Sequence, residues 1–134
     1  MEDRFKLRVY NNLLNYMADV IGVDYINNSI TIILKEHDCP RDIHVSEGML
    51  MQSTGIKDKN GKLIFEGDIV NFNLFDNKNL TLIDFTGKII YKDSCYILEH
   101  DNDEILGLLP KKCMTIVGNI YQNPELVKHS QNHE

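Results

Sequence analysis

Two chain reversals set close together constrain this sequence more than any other feature. Asp58-Lys59-Asn60-Gly61 and Glu66-Gly67-Asp68 both read as tight turns. Asn-Gly between apolar stretches is the strongest short hairpin signal, since both residues accept positive φ. Gly67 brings the same backbone freedom to the second reversal. Leu63-Ile64-Phe65 lies between them and Ile69-Val70-Asn71-Phe72 follows, short runs rich in β-branched and aromatic side chains. No helix survives two such breaks, so this part of the chain is expected to fold as short strands joined by turns.

Strand signals continue in both directions. In Phe5-Lys6-Leu7-Arg8-Val9-Tyr10, apolar residues alternate with polar ones, the period of a strand with one buried face. Residues 30–34, ITIIL, follow the turn formers Asn27, Asn28 and Ser29, which predicts a hairpin joining about 20–26 to 30–35. Residues 11–21 are ambiguous: Leu13, Leu14, Met17, Val20 and Ile21 fit a helical stripe that Asn12 could cap. Residues 36–48 read as a loop, or as an edge strand around 43–45. Residues 74–82 are mixed in polarity and are expected to form a loop. Residues 83–92 and 95–99 flank Asp93-Ser94 as a tight hairpin, and 113–121 form a last strand with Gly118 as a bulge or bend. Asn123-Pro124-Glu125 has the form of a helix start, giving a short helix at about 124–128 before a frayed tail.

At 134 residues the chain is about one domain, and it needs no staple to bury a core. Its three cysteines, Cys39, Cys95 and Cys113, are odd in number and irregularly spaced, so they are not a disulfide framework. Cys95 and Cys113 fall within strands and are expected to be buried. No signal peptide is visible, and the longest apolar runs fall far short of the ~20 residues of a membrane span. A reducing cytoplasm is the expected compartment and no membrane association is expected. Fourteen basic against twenty acidic side chains give a net charge of −6, with no basic footprint for nucleic acid. Lys57, Lys59 and Lys62 cluster at one turn and Lys111 and Lys112 form a pair. Glu99, Asp101, Asp103 and Glu104 make an acidic segment expected to be a solvated loop.

Three ordered blocks carry a family resemblance. Gln52-Ser53-Thr54-Gly55-Ile56-Lys57-Asp58-Lys59-Asn60-Gly61-Lys62, running into Ile64-Phe65-Glu66-Gly67-Asp68-Ile69-Val70, resembles the central signature of the YopX family of phage and prophage proteins. Gly87-Lys88-Ile89-Ile90-Tyr91 resembles its following strand. Val117-Gly118-Asn119-Ile120-Tyr121 with Asn123-Pro124-Glu125-Leu126 resembles its C-terminal signature, and 5–10 is a looser match to the opening strand. Order and spacing agree from about 4 to 127.

The resemblance implies a mainly β chain with a small SH3-like barrel at about 60–121, an N-terminal β extension and a short C-terminal helix. In that arrangement one YopX-like domain comprises an N-terminal β segment at about 4–50, the barrel at about 50–121, a turn and helix at 122–128 and a tail at 129–134. Residues 11–48 then begin with a turn leading into β structure. The resemblance also implies a phage or prophage gene working in the cytoplasm of a bacterial host. It implies no activity, because fold and function are separable.

Glu66 and Asp68 are the best pair of carboxylates, two apart in extended chain and able to share one face. Such a pair could hold a divalent cation or divide acid and base roles. The favoured alternative is that Asp68 bonds turn amides while Glu66 is solvated. His37, Cys39 and His44 match no common zinc spacing and lack an evident fourth ligand. His100 is expected to be exposed. Thr54, Gly55, Asn60 and Gly61 lack P-loop spacing. Gln52, Asn119 and Asn123 are expected to bond backbone at turns. Phe65, Phe72, Phe85, Tyr91, Tyr96 and Tyr121 are expected in a barrel core rather than on a base-stacking platform. The residues singled out are thus Gln52, Thr54, Gly55, Asp58, Asn60, Gly61, Glu66, Gly67, Asp68, Gly118, Asn119, Asn123 and Pro124.

No catalytic set, cofactor or metal is expected. The leading expectation is a non-enzymatic accessory protein that binds a protein partner or assembles with itself. A nucleic-acid-binding barrel is the alternative, and a metal-dependent enzyme using Glu66 and Asp68 a third reading.

Overall fold

The structure, a computed structural model, describes residues 5–34, 38–101, 103–106 and 111–128. The chain is mainly β, with two antiparallel sheets and one short helix, and it divides into two compact units, Met1–Ser53 and Thr54–Glu134. No helix among the described residues is long and apolar enough to cross a membrane.

The first unit contains β1 (Leu7–Asn11), β2 (Tyr16–Asp24), β3 (Ser29–Ile33) and β4 (Arg41–His44), with β5 (Gly48–Lys57) beginning in it. Their order is β4-β3-β2-β1-β5. Val9, Ala18, Ile30, Ile32 and Ile43 form the core, with Tyr16 and Val20 packed against it. The ambiguous stretch is a turn, not a helix. The Asn11 side chain accepts the Leu13 and Leu14 amides at 2.8 and 3.0 Å, which closes a four-residue loop and starts β2 at Tyr16. The simple alternation expected for 5–10 fails at both ends. Phe5 lies outside the strand and is 58% exposed, whereas Val9, Tyr10 and Asn11 are all buried. Tyr10 Oη donates to Asn15 Oδ1, and Asn11 is held in place by its own turn, so neither needs solvent. The expected hairpin is β2–β3, and the loop or edge strand is β4, which pairs only with β3 among the described strands.

The second unit takes over within β5 and contains β6 (Leu63–Phe65), β7 (Asp68–Asp76), β8 (Thr81–Lys92), β9 (Cys95–His100), β10 (Asp103–Leu106), β11 (Met114–Asn119) and α1 (Glu125–Lys128). The later residues of β5 neighbour β6, and the second, five-stranded sheet runs β10-β9-β8-β7-β11. Ile64, Val70, Phe72, Ile89, Leu98, Cys113 and Met114 make its core. Gly118 follows a register shift in β11, the bulge expected there. Asp93 and Ser94 both adopt positive φ, 52° and 68°, as a two-residue hairpin turn requires.

Four expectations are corrected in this unit. Residues 74–82 are not one loop: β7 runs to Asp76 and β8 starts at Thr81, leaving four turn residues. The acidic segment is a β9–β10 hairpin with ion pairs, Lys88–Glu99 at 3.3 Å and Lys92–Glu104 at 2.7 Å. Cys95 is exposed, because it opens β9 beside the turn, while Cys113 is buried as expected. His100 is only partly exposed. Its ring lies 5.1 Å from that of Phe85, and Nδ1 is 2.8 Å from the Thr86 carbonyl, to which it donates.

Candidate functional site

Most of the signature residues lie in the second unit, on or beside β5, β6, β7 and β11. Gly61 ends the first reversal at φ 80°, and its amide donates to the Asp58 carbonyl at 3.0 Å. Asp58 is the centre of this turn. Its Oδ1 accepts the Asn60 and Lys62 amides, both at 2.9 Å, and its Oδ2 accepts the Ile116 amide of β11 at 3.0 Å. The Lys59 amide adds a bond to the Met114 carbonyl at 2.9 Å. Asp58 is 2% exposed, and burial pushes its carboxyl up. The three backbone amides and the charge of Lys62 outweigh burial and leave it below the ordinary carboxylate range.

The second reversal is held in the same manner. Gly67, at φ 89°, donates its amide to the Ile89 carbonyl at 2.8 Å and accepts the Ile120 amide at 2.9 Å. Asp68 is 2% exposed, and its Oδ2 accepts the Phe65 amide at 2.7 Å. Glu66 is half-buried, and its charge, after burial itself, raises the Tyr96 hydroxyl above the usual tyrosine range. Asp68 is thus committed to a turn amide. The turn reading describes it, whereas Glu66 is less solvated than expected.

The other singled-out residues are also engaged with backbone. Thr54 Oγ1 donates to the Ile64 carbonyl at 2.7 Å and accepts the Ile56 amide at 3.1 Å, joining β5 to β6. Asn119 Oδ1 accepts the Tyr121 and Gln122 amides at 3.1 and 2.9 Å. Asn123 Oδ1 accepts the Asn119 amide at 3.2 Å, so this side chain bonds backbone at the preceding turn, as expected. A side chain at Gly118 would meet Asn123, 2.6 Å from Oδ1, which explains the glycine. Pro124 is half-buried ahead of α1, and its carbonyl accepts the Val127 amide at 3.3 Å. Gln52 and Gly55 lie on β5 and are exposed, as is Asn60 on its turn.

Among the described residues no group of three or more His, Cys, Asp or Glu could hold a metal ion. His37 lies outside the described residues. Cys39 and His44 are exposed, and His44 Nδ1 accepts the Ser46 amide at 3.1 Å as the cap of a short 3-10 turn. Lys57, Lys59, Lys62 and Lys112 are exposed, and the side chain of Lys111 lies outside the described set. Of the six aromatics expected in the core only Phe72 is buried, with Phe65, Phe85, Tyr96 and Tyr121 half-buried and Tyr91 exposed, and Tyr121 lies in the turn after β11.

Sequence reasoning missed a second set of residues, the apolar ones at hairpin turns. Three four-residue loops share one construction. Asn11, Asp24 and Asp76 each end a strand and accept an amide two residues on, at 2.8, 3.0 and 2.9 Å. In each loop the last residue has positive φ: Asn15 at 56°, Asn28 at 54° and Leu80 at 53°. At Asp24, hydrogen bonds from the Asn27 side chain and amide hold the carboxyl below its ordinary value. The loops hold large apolar side chains in solvent: Leu13 71% and Leu14 66% exposed, Tyr25 87%, Ile26 92% and Leu80 78%. In two of the loops, Asn11 with Asn15 and Asp24 with Asn28, an Asn or Asp four residues before an Asn is the available signal, and Leu80 hides it in the third.

The comparisons agree with this architecture. Among curated proteins none matches the chain. The crystal structure of protein EF1440 from Enterococcus faecalis is similar, with a TM-score of 0.61 and 26% identity over 91% of this chain and 96% of that one. The family model of the YopX protein matches residues 6–128, nearly the whole length. The chain belongs to the YopX family.

Proposed function

We propose that this chain is a non-enzymatic accessory protein of a phage or prophage, acting in the cytoplasm of its bacterial host by binding protein surfaces, its own included. One observation carries the reading: large apolar side chains are held in water on rigid turns. Tyr25 and Ile26 are 87% and 92% exposed, yet their loop is fixed by three hydrogen bonds to the Asp24 carboxylate. Exposed apolar groups on an ordered frame lose little entropy when a partner covers them. The polar signature residues support the same reading. Asp58, Asp68 and Asn119 are buried and bonded to backbone amides, which leaves them poorly placed to meet a substrate.

The second unit is proposed to be a small SH3-like barrel. Its support is the bonding of the Asp58 turn to β11, which brings β5 and β6 beside the end of the β10-β9-β8-β7-β11 sheet.

The test is capture from host lysate by the full chain, compared with Leu13→Ser/Leu14→Ser and Tyr25→Ser/Ile26→Ser forms that fold equally well. The reading expects one specific protein retained by the natural chain and lost on at least one altered turn. A partner retained equally by all forms would overturn it. So would salt-dependent DNA or RNA binding in place of a protein partner, because phosphate contacts release counterions.

A further inference from the structure

The β7–β8 hairpin extends beyond the strands that flank it. Pairing of β11 with β7 reaches Phe72, and pairing of β9 with β8 starts at Lys88. Past Phe72 and Phe85, whose rings are 5.3 Å apart, four further pairs run from Asn73↔Asp84 to Asp76↔Thr81. No residue from 73 to 84 is buried. This arm has apolar side chains on both faces: Phe75 and Leu82 on one, Leu74 and Ile83 on the other. Leu74 packs against the core of the second unit, whereas Phe75 and Leu82 are 50% and 56% exposed, so the arm is covered on one face only.

The outer edge of β8 at 81–85 differs from the edges at β4, β10 and β11, and from β6, which is only three residues long. An exposed edge recruits further strands unless charge, proline, a bulge or a covering segment blunts it. β4 has Arg41, Asp42 and His44, and β10 has Asp103 and Glu104. β11 has a bulge at 116–118 and is covered by bonds from Lys59 and to Asp58. At 81–85 the sequence is Thr-Leu-Ile-Asp-Phe, without proline, lysine or bulge. Its one charge, Asp84, is tied to Asn71 Nδ2 at 2.8 Å.

We infer that the β8 edges of two copies of this chain pair antiparallel about a two-fold axis, joining the two arms into one four-stranded sheet. A second copy is the occupant that the arm itself specifies. An antiparallel strand edge is its own complement in donors and acceptors, and a two-fold makes the contact isologous and closed. Joining two arms also places Leu82 beside Leu82, or Ile83 beside Ile83, of the other copy. Charge raises little obstacle: although the whole chain carries −6, residues 73–84 hold only Asp76, Lys78 and Asp84. This inference deepens the proposed function by naming the partner of one surface, and it does not involve the Leu13–Leu14 or Tyr25–Ile26 turns.

Sedimentation equilibrium of the full chain over a hundredfold range of micromolar concentration tests it. The expected result is a reversible dimer that Leu82→Lys shifts toward monomer by at least tenfold in Kd, with unchanged far-ultraviolet circular dichroism. Leu82→Thr, which keeps a strand-forming side chain, should weaken the dimer by less and covers the case where lysine disturbs folding. A monomer at all concentrations overturns the inference, as does a dimer that neither variant weakens. Partner capture through the first-unit turns can succeed or fail independently of either result.

Discussion

Asp58 links one side chain to three backbone amides in a buried setting, and its removal should be among the costliest changes in the chain. Each orphaned buried donor costs about 1–3 kcal/mol, so Asp58→Ala is expected to lose about 3 kcal/mol or more in urea unfolding. Asp58→Asn keeps one acceptor and should lose less. The carboxyl sits below its ordinary value in the folded chain. Its contribution is therefore fully present above the unfolded value of about 4 and is lost as pH falls through the folded one. Between pH 5 and 2.5 the natural chain should lose more stability than Asp58→Asn; equal losses would show that Asp58 is not the group responsible. Leu80 makes the opposite case. It holds φ 53° at a position where the two sister loops have asparagine, so Leu80→Asn relieves strain. Its melting temperature should match or exceed that of the natural chain, with a gain of up to about 1 kcal/mol.

At the scale of elements, turns were more legible than strand lengths. Gly61, Gly67 and Asp93 announce their conformation because few other residues adopt positive φ without strain. Residues 74–82 do not read as strand because the arm has no fully buried residue and Leu82 and Ile83 are exposed side by side, whereas periodicity reports burial. The hydrogen-bonding partners of Asp58 and Asp68 were only partly legible. A turn role could be read locally, but the Ile116 amide that completes Asp58 lies 58 residues away. Gly87 shows the same limit. Nothing beside it in sequence demands glycine, yet a Cβ there would lie 2.5 Å from the Glu99 carbonyl oxygen and 3.0 Å from Leu98 Cδ1. Gly87→Ala should push β8 from β9 and cost about 1–3 kcal/mol, read as a lower urea midpoint with an unchanged slope. A neutral result would contradict this packing.

For the whole molecule, the account rests on a division of labour: buried polar residues fix the turns, and apolar residues are left exposed, where the proposed function has them bind. The family resemblance rests on ordered blocks of turn formers, which is why the signature describes the fold and says little of the proposed binding surface. Residue-resolved amide hydrogen exchange at low and high protein concentration tests both halves at once. The amides of Asn60, Lys62, Phe65 and Ile116, held by Asp58 and Asp68, should exchange slowly at both concentrations. The outward amides within 81–85 should exchange fast when dilute and slow when concentrated. Rapid exchange at the carboxylate-held amides, or an arm unchanged by concentration, would contradict the account.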